Sequence, residues 1–282
     1  MTAAHKTYAC FDVEIADNVA HVRMNRPDEY NSMTAAFWAE LPEIVDGISA
    51  EASARAIVLS STGKHFCAGM DLAVFAGRQD DGDLELGRRH ARMRGTAKTL
   101  QHTASCLEQA RMPVLVAVQG GCIGGALDLA TAADLRYCSG DAFFVVQEIN
   151  IGMTADIGTL QRLGKCIPEG VARELAYTGR RMPAQRAYEV GLVQEVYADH
   201  ASLVDGVLDT AREIAGKSPL AIHGTKVAMN FARDHSVADA LDQIATWQAG
   251  MFQPGDMVES FSAKAEKRQA TYPDLLPEQP HL

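Results

Sequence analysis

Two short apolar runs limit the folds open to this chain more than any other feature. Ala56-Ile57-Val58-Leu59-Ser60 and Pro113-Val114-Leu115-Val116-Ala117-Val118 each lead into a loop rich in small residues. Neither run alternates apolar with polar, as expected of strands covered on both faces. Such strands need helices on both sides, and helical patterns do alternate with them. Thr34 is placed to cap a helix running to about residue 49, with Phe37, Leu41, Ile44, Val45 and Ile48 on one face. Residues 85–110 read as a rather polar helix, and another starts near Gly125. Residues 8–24 read as two strands around Asp17-Asn18, and 135–138 and 142–146 as two more. From about residue 157 the pattern turns mostly helical, over 201–216, 218–233, 236–250 and 256–269. The expectation is an α/β core over residues 1–205 and a C-terminal helical region over 206–282. With no flexible linker between them, the helices should pack on this core or on a neighbouring subunit.

Composition excludes several classes. The 282 residues are 47% apolar and 22% charged, ordinary for a globular chain. A net charge of −10 leaves no broad basic field for a phosphate backbone, so no nucleic-acid partner is expected. No run of about 18 apolar residues and no apolar leader occur, so neither a membrane span nor secretion is expected. The six cysteines form no C-x-x-C pair and have no His at zinc-finger spacing. They read as free thiols in a reducing compartment with no metal, which predicts a cytoplasmic protein.

The two small-residue loops share one design. Phe66-Cys67-Ala68-Gly69-Met70-Asp71-Leu72 and Gly120-Gly121-Cys122-Ile123-Gly124-Gly125 each follow a buried strand and lead towards a helix. Helix starts carry unpaired N–H groups, and small residues let a ligand approach them. Two such groups converging on one point would form an oxyanion hole; the bland reading is tight packing of helix on strand. The second loop breaks G-x-G-x-x-G at Cys122, and Ala126 stands where a P-loop has Lys. Neither G-x-S-x-G nor H-E-x-x-H occurs. Three carboxylates follow in apolar settings, Asp128, Glu148 and Asp156. Such settings raise a carboxyl pKa towards neutrality, which suits proton transfer. Read locally, Asp128 equally suits a charge favoured by the helix dipole, and Asp156 an N-cap for a helix beginning at Ile157.

Taken in order, these segments resemble the enoyl-CoA hydratase/isomerase (crotonase) superfamily over nearly the whole length. The marks are Asn25-Arg26-Pro27, the loop from Phe66 to Leu72, Ala117-Val118-Gln119-Gly120 through Gly125, Gly158-Thr159-Leu160-Gln161-Arg162-Leu163 and Glu266-Lys267-Arg268. The glycine loop with Asp128, then Asp134 to Cys138, Asp141 to Phe144 and Ala155-Asp156, resembles the Δ3,5-Δ2,4-dienoyl-CoA isomerases within it. Three acidic residues line the site of those isomerases, and they match Asp128, Glu148 and Asp156. Hydratases usually have Glu at the first two positions and a small residue at the third. Ala126 departs from a frequent third Gly, which leaves the Gly125 N–H unaffected.

The resemblance implies a crotonase-like ββα spiral core with a C-terminal helical oligomerisation region. It implies movement of double bonds in fatty acid beta-oxidation, from 3,5-dienoyl-CoA to 2,4-dienoyl-CoA. The backbone N–H groups of Met70 and Gly125 would hold the thioester oxygen. Glu148 would serve as base at C2 and Asp156 as acid at C6, or the reverse, with Asp128 tuning its neighbour. Ala68, Asp71 and Leu72 would bind substrate, with Arg26 and Lys267 as candidates for the CoA phosphates. No metal or redox cofactor is implied, since CoA is part of the substrate. A homotrimer or hexamer is expected through the C-terminal helices, with Met229, Phe231, Ile244, Trp247 and Phe252 as apolar contacts. The segment 73–95, with Arg78, Asp80, Asp81, Asp83 and Arg88, is expected to shape the acyl pocket. A 2-enoyl-CoA hydratase, a thioester hydrolase and a non-catalytic acyl-CoA-binding protein remain alternatives at this point.

Overall fold

Asp17 and Asn18 both adopt positive φ, 52° and 61°. They turn β1 (Phe11–Ala16) back onto β2 (Val19–Met24) in register from Ala16 opposite Val19 to Phe11 opposite Met24. Two central residues at positive φ match the right-handed twist of a hairpin, and Asn and Asp tolerate that region best. The structure is a computed structural model that describes residues 7–71, 73–74 and 85–278. From the hairpin the chain enters α1 (Ala35–Glu51), whose N-cap Thr34 accepts a hydrogen bond from the Phe37 N–H. It returns through β3 (Ala56–Ser61), then α2 (Leu86–Gln109) and β4 (Val114–Val118).

Every residue of β3 and β4 is buried, and two separate cores explain why. Ile57, Leu59, Val114, Val116 and Val118 face a large cluster with α1. Ala56, Val58, Leu115 and Ala117 face Leu203, Val207, Ala211 and Ala215 of α7 (His200–Ala215). A strand whose odd and even side chains both meet apolar partners takes a polar residue only where a hydrogen bond satisfies it, as at the end of β3, where Ser60 bonds to His21 and Ser61 accepts from the Gln119 amide.

Beyond β4 the chain winds as a spiral. β5 (Gly121–Ile123) leaves the main sheet for a second one, and α3 (Gly125–Ala132) leads back to β6 (Leu135–Ser139). β7 (Phe143–Val145) then joins β5 in the second sheet. After α4 (Thr159–Cys166) and α5 (Glu169–Thr178), β8 (Met182–Pro183) pairs with β7. Finally α6 (Ala184–Glu189) leads to β9 (Glu195–Tyr197). The main sheet runs β1-β2-β3-β4-β6-β9, parallel apart from the hairpin, and the second runs β5-β7-β8. The segment 121–123, expected as part of a loop, is therefore a short strand, and β8 and β9 lie in a region expected to be helical.

The division expected between residues 205 and 206 falls inside α7, which packs on the main sheet. The helices that extend past the spiral are α8 (Pro219–Asp234), α9 (Val237–Met251) and α10 (Pro254–Glu266). They expose Met229, Leu241, Phe252 and Phe261. Trp247 packs within the chain instead, edge-on to His223 and against Gly224, where a Cβ would come within 2.6 Å of the indole nitrogen. All six cysteines are free, and among the described residues no helix is long and apolar enough to cross a membrane.

Two devices fasten this C-terminal part. The buried Lys226 of α8 donates to the Leu107 and Met112 carbonyls, both at 3.0 Å, and to Asp134 at 2.7 Å. The tail after α10 returns to the opposite end of α1. Arg55 donates to the Tyr272 carbonyl and pairs with Asp274, Arg111 donates to the Leu276 carbonyl, and the Glu278 N–H meets the Ala50 carbonyl. Removing the Lys226 ammonium takes that donor from two carbonyls and leaves the half-buried Asp134 carboxylate with the Val114 N–H but without its cation. Lys226→Met should therefore lower unfolding free energy by about 3 kcal/mol in urea denaturation. A loss below about 0.5 kcal/mol, the scale of an ordinary surface change, would contradict the anchoring role.

Candidate active site

The loop after β3 is held between two isolated parallel bridges, Cys67 with Cys122 and Met33 with Met70. The Met33 N–H donates to the Gly69 carbonyl at 2.8 Å, and the Asp71 N–H donates to the Met33 carbonyl at 3.1 Å. Successive peptides of an extended segment point to opposite sides, so the Met70 N–H faces away from Met33. Asn31 ties the surrounding loops together: its amide donates to the Thr62 and His65 carbonyls and its oxygen accepts the Arg26 N–H. Gly69, at φ 88°, lies so close to β5 that a Cβ would stand 2.7 Å from the Ile123 carbonyl oxygen and 3.8 Å from the Gly125 nitrogen. The two small-residue loops therefore meet face to face. Gly125 is the first residue of α3, where N–H groups have no partner within the helix.

A cavity of about 610 Å³ opens at this junction. Ala68, Gly69, Met70, Asp71, Gly124 and Gly125 form one wall, and Glu148 and Asp156 line it as well. Glu148 opens a short 3-10 turn after β7 and is half-buried. Gly124, at φ 57°, gives it room, since a Cβ there would lie 3.1 Å from its Oε1. Burial pushes the Glu148 carboxyl above the usual glutamate range, and the nearby Asp156 adds to the rise. Asp156 is exposed to the cavity, and its backbone carbonyl accepts a 2.8 Å hydrogen bond from Gln101. It is not the N-cap of the following helix: α4 starts at Thr159 with Gly158 at the cap position.

Asp128 is 0% exposed and is not part of the cavity wall. It stands in the first turn of α3 and reaches across to α4, where its Oδ1 accepts the Thr159 N–H at 2.5 Å. It thus supplies from another helix the capping oxygen that Gly158 lacks. Burial pushes its carboxyl up to about 7, and Glu148 adds to the rise while the hydrogen bonds from Thr159 oppose it. Its Oδ2 has no hydrogen-bond partner among the described residues.

The remaining candidates divide. Ala68 and Asp71 are in the wall, but the Asp71 carboxylate is engaged by the Ala73 N–H at 2.8 Å and the Ser32 hydroxyl at 3.0 Å. These bonds hold its pKa below the usual aspartate value. Arg26 sits one step behind the wall, donating to the Ser32 carbonyl and facing Glu29 at 3.8 Å. Lys267 caps the C-terminus of α10 at the surface and does not line the cavity. Leu72 lies outside the described residues, as do Arg78, Asp80, Asp81 and Asp83. Arg88 is exposed and pairs with Glu85, the N-cap of α2. The cavity also takes in Tyr30, Trp38, Gln147, Ile151, Met153 and Arg181, none of them singled out beforehand. Tyr30, at φ 51°, caps the short 3-10 turn over Pro27–Glu29. Nothing in the sequence marked its place at the cavity. Among the described residues no group of three or more His, Cys, Asp or Glu is arranged to hold a metal.

The Asp128 geometry sets a pH dependence. Its folded pKa lies above the unfolded value, so its contribution to stability is intact below about 3.9 and is lost as pH rises through about 7. Asn can accept the Thr159 N–H without ionising. The stability of Asp128→Asn relative to the parent should therefore grow between pH 4 and 8, by up to about 4 kcal/mol. A difference that stays constant with pH would show that the carboxyl is not held neutral by burial.

Residues 14–275 match the enoyl-CoA hydratase/isomerase family. Among curated proteins, the mitochondrial Δ3,5-Δ2,4-dienoyl-CoA isomerase of Homo sapiens is 44% identical over 255 residues, covering 89% of this chain and 77% of that protein. The peroxisomal Δ3,5-Δ2,4-dienoyl-CoA isomerase of Arabidopsis thaliana is 38% identical over 274 residues, covering 96% and 99%. Among solved structures, a putative enoyl-CoA hydratase from Streptomyces coelicolor A3(2) superposes with a TM-score of 0.85 at 26% identity, covering 97% and 98%. An enoyl-CoA hydratase from Bacillus anthracis gives 0.83 at 30% identity, covering 93% and 98%. The relatives overturn one expectation: the isomerases are named as mitochondrial or peroxisomal, so cysteine usage and the polar character of the first residues do not support a cytoplasmic assignment. A buried thiol stays reduced wherever its surroundings exclude an oxidant, so free cysteines do not fix the compartment. The chain belongs to the enoyl-CoA hydratase/isomerase (crotonase) family of enzymes.

Proposed function

We propose that this enzyme converts a 3,5-dienoyl-CoA into the 2,4-dienoyl-CoA. The observation that carries the reading is that Glu148 and Asp156 line a single cavity together with Met70 and Gly125. The names of the isomerases that share 38–44% of its residues agree with it.

The reaction needs one proton removed at C2 and one added at C6. Glu148 takes the C2 proton, and the electron pair spreads into a dienolate whose charge collects on the thioester oxygen. The Met70 and Gly125 N–H groups meet that oxygen. Charge develops there only as the proton leaves, so fixed donors stabilise the transition state more than the substrate. Asp156, protonated, then delivers a proton at C6 and the double bonds settle at C2–C3 and C4–C5. No electrons are gained or lost, so the step calls for no redox cofactor, and the two N–H donors take the place a Lewis-acid metal would have at the developing oxyanion. Asp128 never touches substrate in this scheme. It holds the N-terminus of α4 and so positions the segment that carries Asp156.

Purified protein given 3,5-octadienoyl-CoA should generate the ultraviolet absorbance of a conjugated 2,4-dienoyl thioester. Silence there, with loss of the enoyl-thioester band from a 2-enoyl-CoA, would replace the isomerase by a hydratase. Glu148→Gln should lose about 10²–10⁴-fold in kcat and stop exchange of the C2 protons with solvent. Asp156→Asn should lose isomerisation by a similar factor yet keep C2 exchange and acyl-CoA binding. Because burial raises the Glu148 pKa, the acid limb of kcat/KM should lie above the ordinary glutamate range near ~4.3. An acid limb at or below that range would remove Glu148 as the base.

A further inference from the structure

Asp156 and Ile157 belong to the walls of two cavities, not one. The second, of about 330 Å³, shares these two residues and is bordered by Gln101, Glu108, Gln161, Arg162, Lys165 and Asp234. The contrast with the first cavity is chemical. The first presents Trp38, Ile123, Ile151, Met153 and Ile157, a surface suited to an acyl chain. The second is walled by charged and amide side chains. Those charges are already committed to one another: Arg162 to Glu108 at 2.8 Å, Arg233 to Glu108 and Asp234, and Lys165 to Asp234. Paired charges of this kind offer water many hydrogen-bonding partners and leave little unbalanced charge for an ionic ligand. A polar cavity of this size has ample room for several waters.

We infer that the charged cavity behind Asp156 supplies that residue with solvent protons, so that the proton delivered at C6 is not the one removed from C2. The inference rests on the isomerase reading and adds a proton route to it. With an acyl chain in the first cavity, water is displaced from that side. The second cavity then remains as the aqueous face of Asp156. In each cycle the C2–H bond breaks and its proton goes to Glu148, while a C6–H bond forms with the proton of Asp156. The Asp156 carboxylate regains a proton from water in the charged cavity, and Glu148 releases its own to bulk solvent when product leaves. The competing arrangement is direct return, in which Glu148 passes the C2 proton to Asp156 across the shared acyl cavity.

The two routes differ in where a label goes. A 3,5-dienoyl-CoA carrying deuterium at both C2 positions is turned over many times by limiting enzyme in ordinary water, so that every cycle after the first reports how Asp156 was reprotonated, and C6 of the product is read by mass spectrometry and NMR. The solvent route predicts no deuterium at C6, and unlabelled substrate in D2O should gain one deuterium there. Deuterium carried from C2 to C6 would overturn the proposal. Gln161 is exposed on α4 and borders only the charged cavity, so Gln161→Trp should plug it. The plugged enzyme should lose at least tenfold in kcat at unchanged KM and begin to carry C2 deuterium to C6. Gln161→Leu, which leaves the cavity open, should keep the parent rate. A plugged enzyme with parent kcat and a C6 position still filled from solvent would place the proton route elsewhere. Failure of the parent enzyme to form any 2,4-dienoyl product is a different result, and it would overturn the isomerase reading itself.

Discussion

The site depends on one close approach, the Gly69 peptide pressed against the Ile123 carbonyl where the main sheet gives way to the second sheet. No side chain fits there, since a Cβ at Gly69 would stand 2.7 Å from that oxygen. The Cys67–Cys122 bridge and the Met33–Met70 bridge hold the approach from either side. From it follow the orientation of the Met70 N–H, the nearness of the first turn of α3, and the corner into which Glu148 fits beside Gly124. Such a corner presents peptide groups rather than side-chain atoms, and the side chains around it serve mainly to keep two backbones in contact. This explains how Met, with no polar handle of its own, can stand at position 70.

The three carboxylates sit in three different surroundings, and their environments sort them. Glu148 is half-buried against a glycine, Asp156 is exposed and lines two cavities, and Asp128 is sealed inside the spiral. A fully enclosed carboxyl facing a helix N-terminus gains most from the peptide N–H it accepts. Its own charge is what burial disfavours. That combination suits a structural post for α4 better than an exchanger of protons. Separation of this kind lets neighbouring acidic groups hold different protonation states at one pH.

Much of this was legible in the chain. The hairpin at Asp17-Asn18, the Thr34 cap, the two buried strands and the helix from Gly125 follow from local turn chemistry and from apolar residues filling consecutive strand positions. The segment 121–123 was not legible as a strand because three residues carry no period, and its pairing with β7 comes from residues more than twenty positions away. The same holds for β8 and β9, two and three residues long. At the site, the acidic residues and both loops stood out by composition, while Tyr30, Trp38 and Arg181 did not. Their presence in the cavity is set by how the spiral closes, and nothing adjacent in sequence marks it. Asp156 was equally readable as a helix cap, and only the position of the α4 start, two residues beyond Ile157, separates the two readings.

The tail that runs back along α1 has a bearing on how the protein comes into being. Arg55 and Arg111 are both largely shielded from solvent, and several of their acceptors come from residues 272–278. During synthesis these arginines emerge from the ribosome more than 150 residues before those acceptors exist. Until then the edge between α1 and β3 must wait with two guanidinium groups only partly satisfied. The spiral can assemble turn by turn as it is made, but this seam closes late. A nascent chain is therefore most open to capture by chaperones or to mispairing at the first strand-helix unit it produced.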